Sequence, residues 1–202
     1  QDFSEKISLS DRIMVLGSCF ADSIGRRLSD AGFETCVNPF GTLYNPVSVC
    51  NSVARLSSAR PFCEADCVQM GAGAGLVCSF SHHTSFARPT AEEFLEGANA
   101  SLEQASAFWK DCNKVLVTLG TAMVWKLSGG GEVVSNCLKR PAAEFTHEML
   151  GEVPPNVAML GALAKATGCV SIESLLKAIE VKIPGKAGEM NARTCKAAYE
   201  NA

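Results

Sequence analysis

Histidine, tyrosine and tryptophan are scarce in this chain of 202 residues, which holds three, two and two of them. So few imidazoles leave little material for a histidine-based metal site. No apolar run approaches the ~20 residues that a membrane-spanning helix needs, so we expect no membrane partner. The net charge is -3 and basic residues form no block, which argues against a nucleic-acid partner.

Cysteine, in contrast, is plentiful, with ten copies. A small secreted chain with that content would suggest disulfides, but this chain is larger and has no dense cysteine framework. Cys63 and Cys67 form one close pair without a histidine at metal-ligand spacing. We therefore predict buried, reduced thiols and no bound metal. The start of the chain carries no signal-peptide pattern, so we expect a cytoplasmic protein.

With 47% hydrophobic and 19% charged residues, the chain is long enough to bury a substantial core. Alternating strand and helix patterns predict an α/β, three-layer fold with a mainly parallel sheet for residues 1–150, followed by a helical tail at 151–202. The predicted strands are 12–16, 33–37 and 114–119, the hairpins 67–80 and 124–134, and the helices 22–31, 46–56, 90–108, 157–164, 172–179 and 189–199.

The segment from Leu16 to Ala21 predicts a strand, a tight turn and the start of a helix. Gly17 permits the sharp bend. Ser18 then lies at the amino end of the helix, where free N–H groups and the helix dipole favour negative charge. A serine nucleophile in acyl transfer needs that environment, because its tetrahedral intermediate carries an oxyanion. The alternative is that Ser18 is only the helix N-cap.

The motif Gly17-Ser18-Cys19-Phe20-Ala21 resembles the signature of the bacterial GSCFA-domain family, which is similar to the SGNH/GDSL hydrolases. The resemblance continues through residues 38–46, 79–86, 119–122 and 136–137, and fades near Leu150. It implies an SGNH/flavodoxin-like domain that lacks its carboxyl-terminal part. It also implies a serine esterase or acyltransferase that acts on an O-acyl or carbohydrate-type ester and uses no cofactor.

The resemblance also implies roles for single residues. Ser18 is the expected nucleophile, and the N–H groups of Ser18 and Gly41 are the expected oxyanion donors, although Gly41 equally suits a turn that needs glycine. The expected substrate-binding residues are Cys19, Asn45, Gly120 and Thr121. SGNH enzymes carry an asparagine where this chain has Ala122, so that oxyanion contact is missing. The Thr121 hydroxyl replaces it or has a structural role.

A general base is harder to identify. SGNH enzymes carry Asp-x-x-His near the carboxyl end of the domain, and nothing after Leu150 matches. His82 or His83 can deprotonate Ser18 if the fold brings them together, since a neutral imidazole suits that role near pH 7. A site-lining or purely structural histidine is the alternative. A serine without a base is a poor nucleophile, so a site completed by a partner chain, or an inactive chain, also stays open.

The composition changes near Gly151, since residues 151–202 carry a net charge of +1 and the preceding part -4. Residues 156–168, 171–175 and 184–186 resemble the carboxyl-terminal segment of the gamma subunit of pyruvate and related 2-oxoacid:ferredoxin oxidoreductases. That resemblance implies partner subunits bound through the tail. The tail has no iron–sulfur cysteine cluster and no diphosphate-binding loop. A fused or truncated reading frame explains both resemblances, and a generic helical hairpin is the alternative for the tail.

Overall fold

The structure is a computed structural model that describes residues 7–71, 75–135, 139–149, 155–168 and 170–201. Within these ranges the helices are α1 (Cys19–Asp30), α2 (Pro46–Ser58), α3 (Ala91–Asp111), α4 (Pro155–Thr167), α5 (Ile172–Lys182) and α6 (Lys186–Asn201). The strands are β1 (Arg12–Gly17), β2 (Glu34–Val37), β3 (Val68–Gln69), β4 (Val77–Cys78), β5 (Lys114–Thr118), β6 (Met123–Leu127), β7 (Val133–Val134) and β8 (Phe145–Met149).

A parallel sheet with the order β2-β1-β5 positions the Ser18 turn. The central strand β1 is apolar on both faces, as expected for a strand covered by helices on either side. Ile13 and Val15 pack with Ala21 of α1. On the opposite face, Met14 packs in a core that includes Phe94 of α3. These contacts confirm an α/β fold with parallel strands, whereas the specific SGNH arrangement stays a prediction.

Antiparallel pairing is more extensive than predicted. β3 pairs with β4, and β6 lies between β7 and β8, so within the described ranges parallel pairing occurs in the three-stranded central sheet alone. Both predicted hairpins form antiparallel pairs, and the tip of the first, residues 72–74, lies outside the described residues. The sequence pattern did not predict β8, because residues 145–149 are mostly polar, and they form a strand by pairing with β6.

The tail helices pack on the central domain rather than extending from it. Ala162 of α4 and Ala198 of α6 form a buried cluster with Cys50 of α2. Helices α4 and α6 cross very closely, as shown by Gly161 of α4, where an added Cβ atom would overlap the carbonyl of Cys195 in α6. All three predicted tail helices are present with somewhat wider bounds. The predicted domain junction near Gly151 lies outside the described residues.

Candidate functional site

Ser18 lies between the end of β1 and the first residue of α1 and is the N-cap of that helix. Its Oγ accepts a hydrogen bond from the Phe20 N–H at 3.3 Å. Its own N–H donates to the Thr118 carbonyl at 3.0 Å, so the last residue of β5 holds the turn in place. Ser18 is therefore the N-cap of α1, as the second interpretation predicted. Its hydroxyl lies at the positive end of the α1 dipole.

Several backbone contacts determine the shape of this turn. Gly17 adopts φ +129, and a Cβ atom there would overlap the Thr118 carbonyl, so only glycine fits. The Gly17 N–H donates to Asn38 Oδ1 at 2.7 Å, and Asn38 Nδ2 donates to Asp22 Oδ1 at 2.6 Å. Asn38 adopts a left-handed conformation with φ 41, which asparagine tolerates better than most residues. Hydrogen bonds to Thr118 of β5 and to Asn38 in the loop after β2 thus hold the Ser18 turn in place.

The Ser18 hydroxyl lies beneath other residues. Its Oγ is 3.0 Å from Thr118 Oγ1, and Ser18 is only 5% exposed. A Cβ atom on Gly120 would lie 3.6 Å from Ser18 Cβ and 2.9 Å from Tyr44 Cδ1, so Gly120 lies next to both Ser18 and the Tyr44 ring. Thr118 was not predicted as a site residue, because its contact with Ser18 joins two positions that are 100 residues apart in the sequence. The signal available was a threonine at the carboxyl end of a buried strand.

Two of the expected substrate-binding residues already have structural partners. Asn45 is the N-cap of α2, with Oδ1 accepting from the Ser48 N–H at 2.8 Å. Thr121 Oγ1 accepts from the Met123 N–H at 2.9 Å. Cys19, in contrast, is exposed at the first position of α1. No hydrogen bond among the described residues uses its N–H. The substrate-binding roles of these residues stay predictions.

The N–H groups of the two expected oxyanion donors, Ser18 and Gly41, already donate hydrogen bonds to backbone carbonyls. Gly41 has φ +80 and donates its N–H to the Asn38 carbonyl at 2.8 Å. The Ser18 N–H donates to Thr118, as described above. Glycine is required at position 41 for a further reason, because a Cβ atom there would overlap His83 Cβ. The loop that contains Gly41 therefore packs directly against His83.

His82 is a core residue. Its Nδ1 hydrogen-bonds Ser79 Oγ at 2.7 Å, and the residue is 0% exposed. Burial, together with the positive charges of Lys139 and Arg55, lowers the pKa of His82 to about 3. The rings that surround it belong to Phe40, Phe62, Phe86 and Phe94. His82 is therefore a neutral histidine of an aromatic cluster, and the structure does not bring it into hydrogen-bond contact with Ser18.

His83 is half-buried and faces the Gly41 loop. Its backbone N–H donates to the Phe40 carbonyl at 2.9 Å. Its Nδ1 accepts from the Ser85 N–H at 3.2 Å, which assigns the proton of the neutral ring to Nε2. Burial and the positive charge of Lys139 lower the pKa of His83, and the Asp22 carboxylate opposes them. His83 thus packs on the Gly41 loop, and it forms no described hydrogen bond with Ser18.

Within the described ranges, no group of three or more histidine, cysteine or acidic side chains could hold a metal ion. In the same part of the chain, every helix is too short or too polar to cross a membrane. The family motif at residues 136–138, in which this chain has Leu138, lies outside the described residues.

The amino-acid sequence matches the GSCFA family over residues 12–167. The match therefore covers the Ser18 turn and the whole parallel sheet, and it continues past Leu150 through α4. No solved structure matches the chain at a significant level.

Curated relatives match a smaller part of the chain. The pyruvate synthase subunit PorC of Methanothermobacter thermautotrophicus is 45% identical over 71 residues, which are 35% of this chain and 38% of the relative. The common gamma subunit of the pyruvate/ketoisovalerate oxidoreductases of Pyrococcus furiosus is 43% identical over 76 residues, 34% of this chain and 41% of the relative. PorC of Methanothermobacter marburgensis is 51% identical over 53 residues, 26% of this chain and 30% of the relative. The chain thus spans less than half the length of each.

Proposed function

This chain belongs to the GSCFA family, and from that premise we propose that it is an SGNH-like serine hydrolase or acyltransferase acting on an O-acyl ester. The observation that carries the proposal is the Ser18 hydroxyl at the amino end of α1, 3.0 Å from Thr118 Oγ1. In this reaction Ser18 Oγ attacks the ester carbonyl and the alcohol leaves. Water or a second alcohol then takes the acyl group from Ser18.

The oxyanion is stabilised by the amino end of α1. The predicted donors at Ser18 and Gly41 already donate to carbonyl groups, so we assign the role of oxyanion donor to the Cys19 N–H. That group lies in the first turn of the helix, where the dipole adds to its effect. This assignment gives exposed Cys19 its substrate-binding role through the backbone rather than through the thiol.

His83 is the proton-transfer group that we propose for the site. Because its pKa is lowered, it is neutral at pH 7. In the described tautomer Nε2–H is a donor, so His83 first assists as a hydrogen-bond donor. To accept the Ser18 proton at Nε2, the ring must change its tautomer and give up the Ser85 N–H contact. A slow turnover is the expected consequence.

A fluorophosphonate probe tests the proposal, because it phosphonylates activated serines whatever their natural acyl group. We expect labelling of the peptide that contains Ser18 and its complete loss in Ser18→Ala. The matched control is Ser23→Ala, which removes another α1 hydroxyl and leaves the N-cap intact. Equal labelling of the Ser18→Ala and unsubstituted chains, or labelling at another serine only, would exclude the mechanism.

The Tyr44 ring provides a second test. Tyr44 is 36% exposed, and its ring lies against Gly120, which neighbours the nearly buried Ser18. If access limits the reaction, Tyr44→Ala raises the labelling rate about tenfold while leaving the labelled residue unchanged, a barrier change of about 1.4 kcal/mol. An unchanged rate shows that the Tyr44 ring does not limit access.

The curated relatives favour a second candidate function. By name they are subunits of pyruvate synthase and of pyruvate/ketoisovalerate oxidoreductases, and part of this chain is 45% identical to one of them. We propose as the alternative that the chain binds other subunits of such an enzyme through α4, α5 and α6. Mixing the purified chain with pyruvate synthase catalytic subunits should give a co-eluting complex, and a chain ending at Met149 should not bind. Separate elution of the full chain would exclude this alternative.

A further inference from the structure

Among the described residues, no strand pairs with the outer edge of β5 in the parallel sheet. On its other side β5 pairs with β1. Thr118 directs its carbonyl toward β1, where it accepts from the Ser18 N–H. Because backbone direction alternates along a strand, Val115 and Val117 direct their N–H and C=O groups away from β1. No hydrogen bond among the described residues uses these groups.

The side chains near this edge are apolar and partly exposed. Val115 is 39% exposed and Phe20, at the start of α1, is 59% exposed. A groove of about 470 Å³ follows the same helix and is lined by Phe20, Ser23, Ile24, Arg27 and Leu28. Asp22, on the other flank of α1, points to Asn38 beside β2. Leu28 and Leu116 both pack against the cluster of Ile13, Val15 and Ala21, and the groove lies on the flank of α1 that faces away from Asp22.

The opposite edge of the sheet is less suited to pairing. β2 has four residues and begins with Glu34, which forms a 2.9 Å ion pair with Arg12. Charged residues and short strands are the usual protection of a sheet edge. β5 has three consecutive apolar residues and only one charge, on Lys114 at its start.

We infer that β5 pairs antiparallel with β5 of a second copy of this chain. Leu116 of one copy faces Leu116 of the other across the two-fold axis. In this register Val115 of each copy faces Val117 of the other, and the outward groups of both match. Each such pair exchanges two hydrogen bonds, and the two-fold symmetry repeats the pair. Lys114 faces Thr118, so no like charges oppose each other. The apolar flanks of the two α1 helices meet on one face of the joined sheet.

Sedimentation and hydrogen exchange test the inference on the complete chain. At about 100 µM we expect a species of twice the 21.3 kDa chain mass, with slow exchange of the Val115 and Val117 amides that becomes fast on dilution. Val115→Lys should raise the dissociation constant at least tenfold. The matched control, Val181→Lys, changes a 70% exposed valine on α5 and should leave the mass unchanged.

Three results would overturn the β5–β5 dimer. A monomer at 100 µM overturns the inference, and so does a dimer whose protected amides lie outside β5. A heterologous assembly that survives Val115→Lys also overturns it. Circular dichroism of both variants guards against misfolding, and the mass and exchange pattern of the unsubstituted chain decide the question even if Val115→Lys fails to fold.

Discussion

Gly17 and Ser18 are adjacent but are required for different reasons. Gly17 is required by geometry, because its φ of +129 and its contact with the Thr118 carbonyl exclude any side chain. Ser18 is required by chemistry, because its hydroxyl caps α1 and contacts Thr118 Oγ1. Substitutions at the two positions should therefore separate folding from activity.

For Gly17→Ala we expect a loss of about 3 kcal/mol or more in the free energy of unfolding, from backbone strain and steric overlap. Gly97→Ala is the matched control, since Gly97 lies in α3 with no atom within 4 Å of an added Cβ. That change should stabilise the protein by about 0.5–1 kcal/mol through helix propensity. Urea unfolding measures both, and equal effects would contradict the role of Gly17.

The buried His82 predicts a pH-dependent stability. Burial holds its folded-state pKa near 3, whereas the unfolded chain binds the proton below about pH 6.5. The unfolded state therefore binds more protons in this window, and stability falls as the pH drops from about 6.5 toward 3. Between pH 7 and 5 we expect a loss of about 2 kcal/mol from this group.

Urea midpoints at pH 7 and 5 measure the effect. His82→Phe is the control, because it keeps an aromatic ring among Phe40, Phe62 and Phe94 and removes the titrating group. Its stability should change less with pH over this interval. An identical pH dependence in both chains would show that His82 does not titrate on unfolding.

The helices and the longest strands were predictable from periodicity, because each buries one continuous apolar face or run. The residues at which the helices begin and end were less predictable. α1 begins at Cys19 rather than Asp22, because the Ser18 cap fixes its start. The short mostly polar strand β8 and the contacts of Thr118 and Asn38 depend on partners far along the chain. Motif analysis could find Ser18, but not its burial or its hydrogen-bond partner.

The crossing of α4 and α6 predicts a substitution effect opposite to helix propensity. Alanine normally stabilises a helix relative to glycine by about 1 kcal/mol. Gly161→Ala should instead cost about 2 kcal/mol, because the methyl group overlaps the Cys195 carbonyl. Leu160→Ala, at a 41% exposed position on the same helix, should change stability by about 0.5 kcal/mol or less. A neutral or stabilising Gly161→Ala would show that the helices are farther apart.

Cys50 reports whether the tail helices cover α2 in solution. It is 2% exposed beneath Ala162 and Ala198, and burial raises its pKa to about 12. Since the thiolate is the reactive form, Cys50 should resist iodoacetamide at pH 8 in the folded chain, whereas exposed Cys19 and Cys63 react.

Mass spectrometry of the labelled peptides measures each thiol separately. In a chain that ends at Met149, Cys50 loses its cover from α4 and α6, and we expect labelling at least tenfold faster. Rapid labelling of Cys50 in the complete chain would contradict the packing of the tail on α2.

The pairing of β1 with β5 also affects how the molecule is made. Ile13 is aligned with Lys114, so the first strand acquires this neighbour only after about a hundred further residues have been synthesised. At roughly 5–20 residues per second, the nascent amino-terminal segment waits about 5–20 s on the ribosome for that strand. During this interval its apolar side chains lack β5 and are exposed to non-native contacts.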